Sequence, residues 1–401
     1  MPERITPGEL GRYLPKSGLC WITACSGESR VFQQGLAGLS LPDLVFTGIF
    51  VPGLNRLSYL LETDARVLTF FMIPEFSGSD KVAFLPLPYR EIRAWLSAHP
   101  PHAALVMCAP PDADGRCSFG PVTDFIADIW QQVPVLIAHL NAAMPATRGT
   151  PGIPMERFTA IIEASHPLLE TNPGTDEISD RIARHVASVI PDGATLQAGL
   201  GCVPEAVLRG LTKKRGLAIH SGLIGDSTLE LLQSGALRAE MPVTAGVAIG
   251  SQALYNAVSG PEFRFLPPSY THDPDTLARI ENFVTINSAI EVDLYGQAYA
   301  EATPEGYISG PGGASDFAAG ARGKGRLRIV VLPSTAGRGK ISRIVSPRSA
   351  TGPVSLGRFD TDLVITEHGI ADLRATSHAE RRAALLAIAD PAHRAALAAA
   401  K

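Results

Sequence analysis

The sequence predicts an α/β protein of two domains, each a mostly parallel sheet flanked by helices. Short apolar runs alternate with amphipathic stretches in the first half of the chain, and this alternation is typical of strands joined by crossover helices. The alternation restarts in the second half after a polar segment that contains proline. Because 401 residues are too many for one ordinary core, we expect two domains.

The first half supplies the strands and helices of the first predicted sheet. Five apolar runs rich in Val, Leu, Ile and Phe are interpreted as buried strands, and they cover residues 19–24, 44–51, 67–72, 104–108 and 133–140. Amphipathic stretches between them are predicted to be helices, at residues 30–39, 89–98 and 123–132.

A change of pattern near residue 172 marks the predicted domain boundary. Residues 169–175 read Leu-Glu-Thr-Asn-Pro-Gly-Thr, a run of turn formers. Apolar residues at helical spacing begin a new helix directly afterwards, namely Ile178, Ile182, Val186 and Val189. We therefore predict domains at residues 1–172 and 173–401.

The second half continues with its own strand and helix signals. A Pro-Asp-Gly turn at residues 191–193 leads to a predicted strand over 194–198. Pro204 suits the first turn of the helix that follows, and Ser227 with Glu230 is interpreted as a capping box after Asp226. The Ala-rich residues 377–400 predict two terminal helices.

Composition excludes several classes of function. Apolar residues are 45% and charged residues 18% of the chain, which argues against disorder. The net charge of −4 leaves no basic field for nucleic acid, and no apolar run approaches the ~20 residues of a membrane helix. The N-terminus lacks a signal-peptide pattern. We expect a cytoplasmic enzyme with neither nucleic-acid nor membrane partners.

The cysteines and histidines give no metal-binding pattern. The odd number of cysteines and the absence of a Cys-x-x-Cys pair favour buried, reduced thiols, at Cys20, Cys25, Cys108, Cys117 and Cys202. The ten histidines include no His-x-x-x-His pair on a predicted helix. We predict no metal site.

Two glycine-rich segments are candidates for ligand contacts. Gly199 to Val203 lie between a predicted strand and helix, where backbone N–H groups can approach an anion or a thioester carbonyl; a plain tight turn is the alternative. Gly310, Gly312 and Gly313 form a second glycine loop. Basic residues follow at Arg338, Lys340 and Arg343, and they either meet phosphates or form a surface charge cluster.

Two further segments carry acids. Residues 283–294 alternate with period two, which places Glu291 and Asp293 on one strand face; this pair is either catalytic or a structural polar network. A predicted apolar strand that begins at Val364 leads to Glu367 and His368 at its carboxyl end, where parallel α/β folds have their sites. Both side chains suit acid–base work near neutral pH, although a surface pair is the alternative.

These segments together resemble the acetyl-CoA hydrolase/CoA-transferase family, which contains 4-hydroxybutyrate CoA-transferase. Residues 196–374 present the family's motifs in order: Leu-Gln-x-Gly-x-Gly, His-Ser-x-x-x-x-Asp, Ile-Asn-Ser-Ala-Ile-Glu-Val-Asp-Leu-x-Gly-Gln, Gly-x-Gly-Gly-x-x-Asp-Phe, Pro-Ser-Thr-Ala with Ser-Arg-Ile-Val, and Thr-Glu-x-Gly-x-Ala-Asp-Leu-Arg. The first half resembles the family more loosely, through the segments at 110–120 and 141–145.

The resemblance implies two CoA-transferase-type α/β domains with the active site between them, in a homodimer. It implies coenzyme A, bound as acyl-CoA, near Gly199, Gly201, Cys202 and Val203, near Ile290, and at Gly310, Gly312 and Gly313. It also makes Glu367 the family's second active-site glutamate.

Four departures from the family pattern bear on the reaction. Gly222 stands where the resemblance places the nucleophilic glutamate, and His272 stands where asparagine is common. Ala314 replaces a frequent glutamine, and Gly337 a frequent lysine whose charge Arg338 could supply. Glycine has no side chain and cannot form the covalent intermediate of CoA transfer.

The sequence therefore favours hydrolysis of a small acyl-CoA over CoA transfer. Glu367 is the preferred general base, assisted by His220 or His368, and His272 with the backbone of Gly201 and Gly313 are candidate oxyanion donors. Two alternatives stay open. One is transfer to a small carboxylate with Glu367, Glu291 or Glu28 as the nucleophile. The other is a non-catalytic, regulatory CoA-binding protein.

Overall fold

The computed structural model describes residues 1–199 and 201–400. Its contacts divide the chain into two compact units. The first contains Met1–Thr171, Val243–Thr271 and Ile308–Gly312, and the second contains Asn172–Pro242, His272–Tyr307 and Gly313–Lys401. The sequence predicts a single boundary, between domains 1–172 and 173–401, and this stays a prediction. In the structure two later segments, Val243–Thr271 and Ile308–Gly312, group with the first unit.

The strands are short and numerous. In chain order they are β1 (Glu3–Arg4), β2 (Ser17–Ile22), β3 (Asp43–Gly48), β4 (Arg66–Thr69), β5 (Val82–Phe84), β6 (Ala103–Cys108), β7 (Arg116–Cys117), β8 (Val135–Asn141), β9 (Ile153–Pro154), β10 (Ala160–Ala164), β11 (Thr195–Ala198), β12 (Ala218–Ile224), β13 (Val243–Ala248), β14 (Phe263–Phe265), β15 (Phe283–Ser288), β16 (Glu291–Asp293), β17 (Ala298–Tyr299), β18 (Ala302–Thr303), β19 (Gly306–Tyr307), β20 (Leu327–Val331), β21 (Thr335–Ala336), β22 (Ile341–Ser342), β23 (Ile344–Val345), β24 (Leu363–Thr366) and β25 (Gly369–Asp372).

Helices alternate with these strands. They are α1 (Arg30–Leu36), α2 (Ser58–Glu62), α3 (Tyr89–Ala98), α4 (Ile126–Ile129), α5 (Glu177–Val189), α6 (Cys202–Arg209), α7 (Asp226–Gln233), α8 (Gln252–Ala257), α9 (Pro268–Thr271), α10 (Pro274–Arg279), α11 (Ala314–Gly320), α12 (His378–Ile388) and α13 (Pro391–Ala399). Short 3₁₀ turns cover Pro7–Arg12, Cys25–Gly27, Pro74–Phe76, Trp130–Gln132 and Met155–Arg157. No helix of the described residues is long and apolar enough to span a membrane.

The first unit is built on a parallel sheet of order β1-β10-β8-β6-β2-β3-β4-β5. Its central strand β6 is buried at every position, as its continuous apolar run predicted. All five predicted strands of this half are present, and α1 and α3 begin at the predicted residues. The predicted helix at 123–132 forms only as α4 and a following 3₁₀ turn. The later strands β13 and β14 of this unit pair in parallel with each other.

The second unit has a sheet of order β12-β11-β15-β20-β24-β25. Its strands are parallel except β25, which returns antiparallel beside β24. Apolar side chains of β20 and β24 pack with those of α12 in one core cluster. The parallel register brings the carboxyl ends of β12, β11, β15, β20 and β24 to one edge, where α/β proteins bind their ligands. The predicted α/β class with mostly parallel sheets is confirmed.

The prediction of one continuous strand over residues 283–294 is wrong. β15 ends at Ser288, and β16 joins a separate small sheet with β17 and β23. Asp293 is fully buried and accepts hydrogen bonds from the backbone N–H groups of Tyr295 and Gln297 and from the side chains of Gln297 and Tyr299. Its carboxylate therefore closes a turn, which is the structural alternative.

The predicted capping box at Ser227 and Glu230 is also wrong. α7 begins at Asp226, with no side-chain hydrogen bond at its N-cap, Gly225. The buried carboxylate of Glu205 accepts the N–H of Ser227 at 3.0 Å instead. A carboxylate from a neighbouring helix thus takes over the capping of the first turn. A Cβ at Gly225 would contact this carboxylate, with Glu205 Cδ 2.8 Å away, so the position requires glycine.

Candidate functional site

Strand β12 has His220 and Gly222 on one face. Side chains alternate along a strand, so these two residues share a face and Ser221 points to the other. Ser221 Oγ donates a hydrogen bond to the backbone oxygen of Ala198 at 3.0 Å. This bond fixes the end of β12 beside β11, its parallel neighbour.

The imidazole of His272 fills the space above Gly222. A Cβ at residue 222 would lie 2.9 Å from His272 Cε1 and 3.0 Å from Nε2. At Gly313 a Cβ would contact the same ring, 2.6 Å from Cδ2. The ring thus lies against two glycines, and neither position has room for a side chain while His272 holds this place.

Two phenylalanines complete the surroundings of the two histidines. His272 packs on Phe317 with ring centroids 4.5 Å apart. Phe317 contacts Phe283 edge-on at 6.4 Å, and Phe283 contacts His220 in the same way at 6.4 Å. We call His220, Phe283, Phe317 and His272 the aromatic cage. The cage is apolar apart from its two imidazoles, so it disfavours charge.

Electrostatics keep His272 neutral. Burial, together with the charge that His220 can carry, lowers the pKa of His272 to about 3. A neutral imidazole has one N–H donor and one nitrogen acceptor. At neutral pH His272 therefore suits hydrogen-bond donation to a developing oxyanion better than proton abstraction.

The turn after β11 leads directly into α6. The N–H of Gly199 donates to Ile286 O at 3.1 Å, and Gly201, with φ of 116°, is the N-cap of α6. Leu200 lies outside the described residues. The thiol of Cys202 donates to Asp176 Oδ2 at 3.0 Å; burial and this bond raise its pKa. Cys202 is therefore a thiol, not a thiolate, and the buried Val203 belongs to the apolar side of α6.

The second glycine loop is divided between the two units. In the first unit a Cβ at Gly310 would contact the backbone oxygen of Phe70, and Gly312 has φ of 59° and accepts the N–H of Tyr89. Close packing on Phe70 thus requires glycine at residue 310, and the left-handed backbone favours glycine at residue 312. Gly313 belongs to the second unit and lies under His272.

Glu367 belongs to a second polar group, which we call the acid cluster: Glu291, Ser334, Arg343 and Glu367. Glu367 is buried, and its two oxygens accept the N–H and the Oγ–H of Ser334 at 2.8 and 2.6 Å. Burial raises the pKa of Glu291, which accepts the N–H of Thr351 at 3.0 Å. Burial lowers the pKa of Arg343, and the charges of Glu291 and Glu367 oppose that change.

His368 adjoins this cluster. Its Nε2 is 3.7 Å from Glu367 Oε1 and 3.7 Å from Asp390 Oδ2. Both distances exceed that of a hydrogen bond, and this buried nitrogen has no hydrogen-bond partner among the described residues. Glu367 and His368 are the two turn residues between β24 and β25, which fixes their place at the edge of the sheet.

Gly222 and Glu367 are held by different strands of this sheet. β11, β15 and β20 separate β12 from β24. With about 4.8 Å between neighbouring strands, the separation across the sheet is ~19 Å. Gly222, on β12, and Glu367, directly after β24, are thus held by strands that are not neighbours.

The remaining predicted contacts lie on loops. Arg338 is exposed in the turn between β21 and β22 and has φ of 58°. The half-buried Ile290 donates its N–H to Tyr299 O at 2.8 Å. Both stay predictions as ligand contacts. Among the described residues, no group of three or more His, Cys, Asp or Glu side chains could hold a metal ion.

Sequence reasoning missed Phe283, Phe317 and Ser334 as parts of these groups. Phe317 and Ser334 stand inside recognised motifs, in Asp-Phe and Pro-Ser-Thr. Phenylalanine on a helix face and serine after a strand predict packing and turns more often than a site. Only the three-dimensional contacts assign them to the cage and to the cluster.

Comparison with solved structures defines the class of the protein. RipA from Yersinia pestis superimposes with a TM-score of 0.91 at 25% identity, over 99% of this chain and 96% of that one. A 4-hydroxybutyrate CoA-transferase from Porphyromonas gingivalis superimposes with a TM-score of 0.81 at 29% identity, with the same coverage. The fold is that of the CoA-transferases.

Sequence comparison then identifies the family. Residues 250–401 match the model of the acetyl-CoA hydrolase/transferase C-terminal domain. The 4-hydroxybutyrate coenzyme A transferase of Clostridium kluyveri is 37% identical over 304 residues, 74% of this chain and 71% of that protein. An acetyl-CoA hydrolase of Kluyveromyces lactis is 26% identical over 258 residues, 60% of this chain and 49% of that protein. The chain belongs to the acetyl-CoA hydrolase/transferase family of enzymes.

Proposed function

We propose that this enzyme hydrolyses the thioester of a small acyl-CoA and forms no covalent glutamyl intermediate. One observation carries the proposal: where the family resemblance places a nucleophilic glutamate, the chain has Gly222 under the ring of a neutral, buried histidine. The family includes proteins named for hydrolysis and for transfer, so membership is compatible with either reaction.

CoA transfer needs a carboxylate that attacks the thioester carbon and later carries CoA as an enzyme thioester. Residue 222 supplies none, and the cage residues around it are two histidines and two phenylalanines. In hydrolysis water takes the place of the carboxylate. The water oxygen bonds to the carbonyl carbon, the C–S bond breaks, and CoA leaves with the acid as the second product.

The two imidazoles have separate roles in the proposed reaction. We assign to His272 a hydrogen bond from its N–H to the carbonyl oxygen, where negative charge develops; removing one such donor typically costs ~10²–10³ in rate. We assign to His220 the role of general base that takes the proton of the attacking water. Both side chains are nearly fully buried, which strengthens their interactions with a charged transition state.

Glu367, the base favoured by the sequence, fits this role less well. Its two oxygens already accept hydrogen bonds from Ser334, and about four strand spacings, ~19 Å, separate its strand from β12. We therefore propose that Glu367 contacts the ligand away from the thioester.

Coenzyme A is the proposed ligand of the turn at Gly199, Gly201, Cys202 and Val203. The N-terminus of α6 begins there, and a helix N-terminus favours negative groups. Ile290, Gly310, Gly312, Gly313 and Arg338 remain proposed contacts. The proposal includes acyl-CoA as the substrate, no required carboxylate acceptor, a homodimer and a cytoplasmic location.

Turnover of an acyl-CoA panel tests the reaction. Acetyl-, propionyl- and butyryl-CoA are incubated with the protein, free CoA thiol is followed over time, and labelled acetate is present or absent. We expect thiol release that acetate does not accelerate and no label in the acyl-CoA pool. Acetate-dependent exchange of label, with an adduct on Glu367, Glu291 or Glu28, would establish the transferase alternative. CoA binding without turnover would establish the regulatory one.

A further inference from the structure

We propose that His272 is the residue that determines reaction specificity in this enzyme. Its ring occupies the place that any side chain at residue 222 would need, and so keeps a carboxylate nucleophile out of the pocket. This inference rests on the proposed function, because it explains why the site hydrolyses and does not transfer. Gly222, His272 and Gly313 then form one matched set.

In this set the histidine and the two glycines constrain each other. The ring faces the position that a Cβ would take at Gly222 with its Cε1 and Nε2, and the corresponding position at Gly313 with its Cδ2 and Nε2. Real Cβ atoms essentially never lie closer than 3.0 Å to another heavy atom, and the distances would be 2.9 Å at residue 222 and 2.6 Å at residue 313. Each glycine is therefore required by the histidine, and the histidine fits only because both are glycine.

The ring has little freedom to turn away. Phe317 packs against it at 4.5 Å, and only 3% of His272 is exposed. The backbone is fixed directly afterwards, because Asp273 caps α10 by accepting the N–H of Thr276 at 2.8 Å. A side chain introduced at residue 222 therefore cannot displace the imidazole without disturbing Phe317 and the start of α10.

Replacing His272 by asparagine would open this space. Asparagine ends at the amide attached to Cγ and lacks the ring atoms Cε1 and Nε2, which make the closest approach to residue 222. It also keeps an N–H₂ donor close to the ring position. The volume released lies where a glutamate side chain at residue 222 would extend.

A carboxylate in that volume would have a complete route for transfer. Its oxygen attacks the thioester carbon and expels CoA thiolate, which gives a mixed anhydride. The thiolate then attacks the glutamyl carbonyl, releases the first acid and leaves CoA as a thioester on the protein. A small carboxylate acceptor repeats these two steps in reverse and leaves as its own acyl-CoA.

Four variants test the inference: Gly222→Glu, His272→Asn, the double variant Gly222→Glu/His272→Asn, and the matched control Gly222→Gln/His272→Asn. The control has the same shape as the double variant but no nucleophile. We expect exchange of label between acyl-CoA and acetate to rise at least 10-fold over wild type only in the double variant. Mass spectrometry of that variant after acyl-CoA treatment should show one bound CoA on residue 222.

Two results would overturn the inference. One is exchange in Gly222→Glu alone. The other is a folded double variant that binds CoA in calorimetry yet shows neither exchange nor adduct. Hydrolysis by the wild type is measured separately, so failure of the proposed function is recognised independently.

If the double variant does not fold, the inference is tested by the effect of Gly222→Ala on the melting temperature in two backgrounds, wild type and His272→Asn. Gly222→Ala should lower the melting temperature of the wild type by several degrees and that of His272→Asn much less. Equal losses in the two backgrounds would mean that His272 does not exclude side chains at residue 222.

Discussion

The aromatic cage and the acid cluster, both in the second unit, differ in the side chains that surround their titratable groups. In the acid cluster Glu367 has both oxygens bonded to Ser334, and Glu291 accepts a backbone N–H. In the cage two imidazoles pack against phenylalanines and glycine backbone. A carboxylate held by protein donors suits a structural or ligand-positioning role, whereas apolar surroundings alter the chemistry of an imidazole.

Replacing His220 should have the largest effect on the rate of hydrolysis. We expect His220→Gln to lower kcat for acyl-CoA hydrolysis by ~10²-fold or more, the usual contribution of a general base, with little change in the affinity for CoA. Steady-state thiol release and calorimetry with CoA measure the two quantities. An activity within 10-fold of wild type would remove His220 from the reaction.

Glu367 supplies the contrasting case. We expect Glu367→Gln to lower kcat less than 10-fold, because both carboxylate oxygens already accept hydrogen bonds from Ser334. The variant should lose ~1–2 kcal/mol of unfolding free energy, since the amide N–H₂ would face the donors of Ser334. Urea unfolding and the same turnover assay measure both. A loss above 100-fold here, with an active His220→Gln enzyme, would return the base role to Glu367.

Much of the fold could be predicted because burial and period are local signals. The buried strand β6, for example, is evident from its continuous apolar run. The break between β15 and β16 was not, because the alternation of residues 283–294 continues through it. Likewise Ser227 and Glu230 have the capping-box spacing, but the cap comes from Glu205, which is distant in sequence.

The sequence motifs singled out individual residues of the candidate site but did not indicate which of them lie together in space. Motif order brought out Gly222, His272, Gly313 and Glu367 together. Their division into two groups depends on strand order, which places β11, β15 and β20 between β12 and β24 and which no local pattern contains. The contact of His272 with two glycines joins residues 50 and 41 positions away. A sequence pattern records that glycine is present but does not name the ring that requires it.

The smallest expected effect is the contribution of His272 to protein stability at acid pH. The pKa of His272 is lowered from 6.5 to about 3, so below pH 6.5 the unfolded chain binds a proton there that the folded protein does not. Stability from this group is therefore complete above pH 6.5 and is lost as the pH falls towards 3. The loss is about 1.4 kcal/mol per pH unit once the unfolded histidine is protonated.

Other buried groups act over the same range. Burial lowers the pKa of His139 to about 4, which adds to the loss in acid. Burial raises the pKa of Asp124 to about 7, which opposes it, because the folded protein keeps a proton that the unfolded chain releases above pH 4. A comparison of slopes between variants cancels both contributions, since these two residues are unchanged.

We therefore expect the unfolding free energy of His272→Asn to fall less steeply than that of wild type between pH 6.5 and 5, by about 2 kcal/mol over this interval. Urea unfolding at half-unit steps of pH measures the slopes, and His102→Asn, at an exposed histidine, is the control that should follow the wild type. Parallel slopes for His272→Asn and wild type would mean that His272 is protonated in the folded protein as readily as in the unfolded chain. The cage would then hold a cation at mildly acidic pH, and the assignment of His272 as a neutral hydrogen-bond donor would have to be given up.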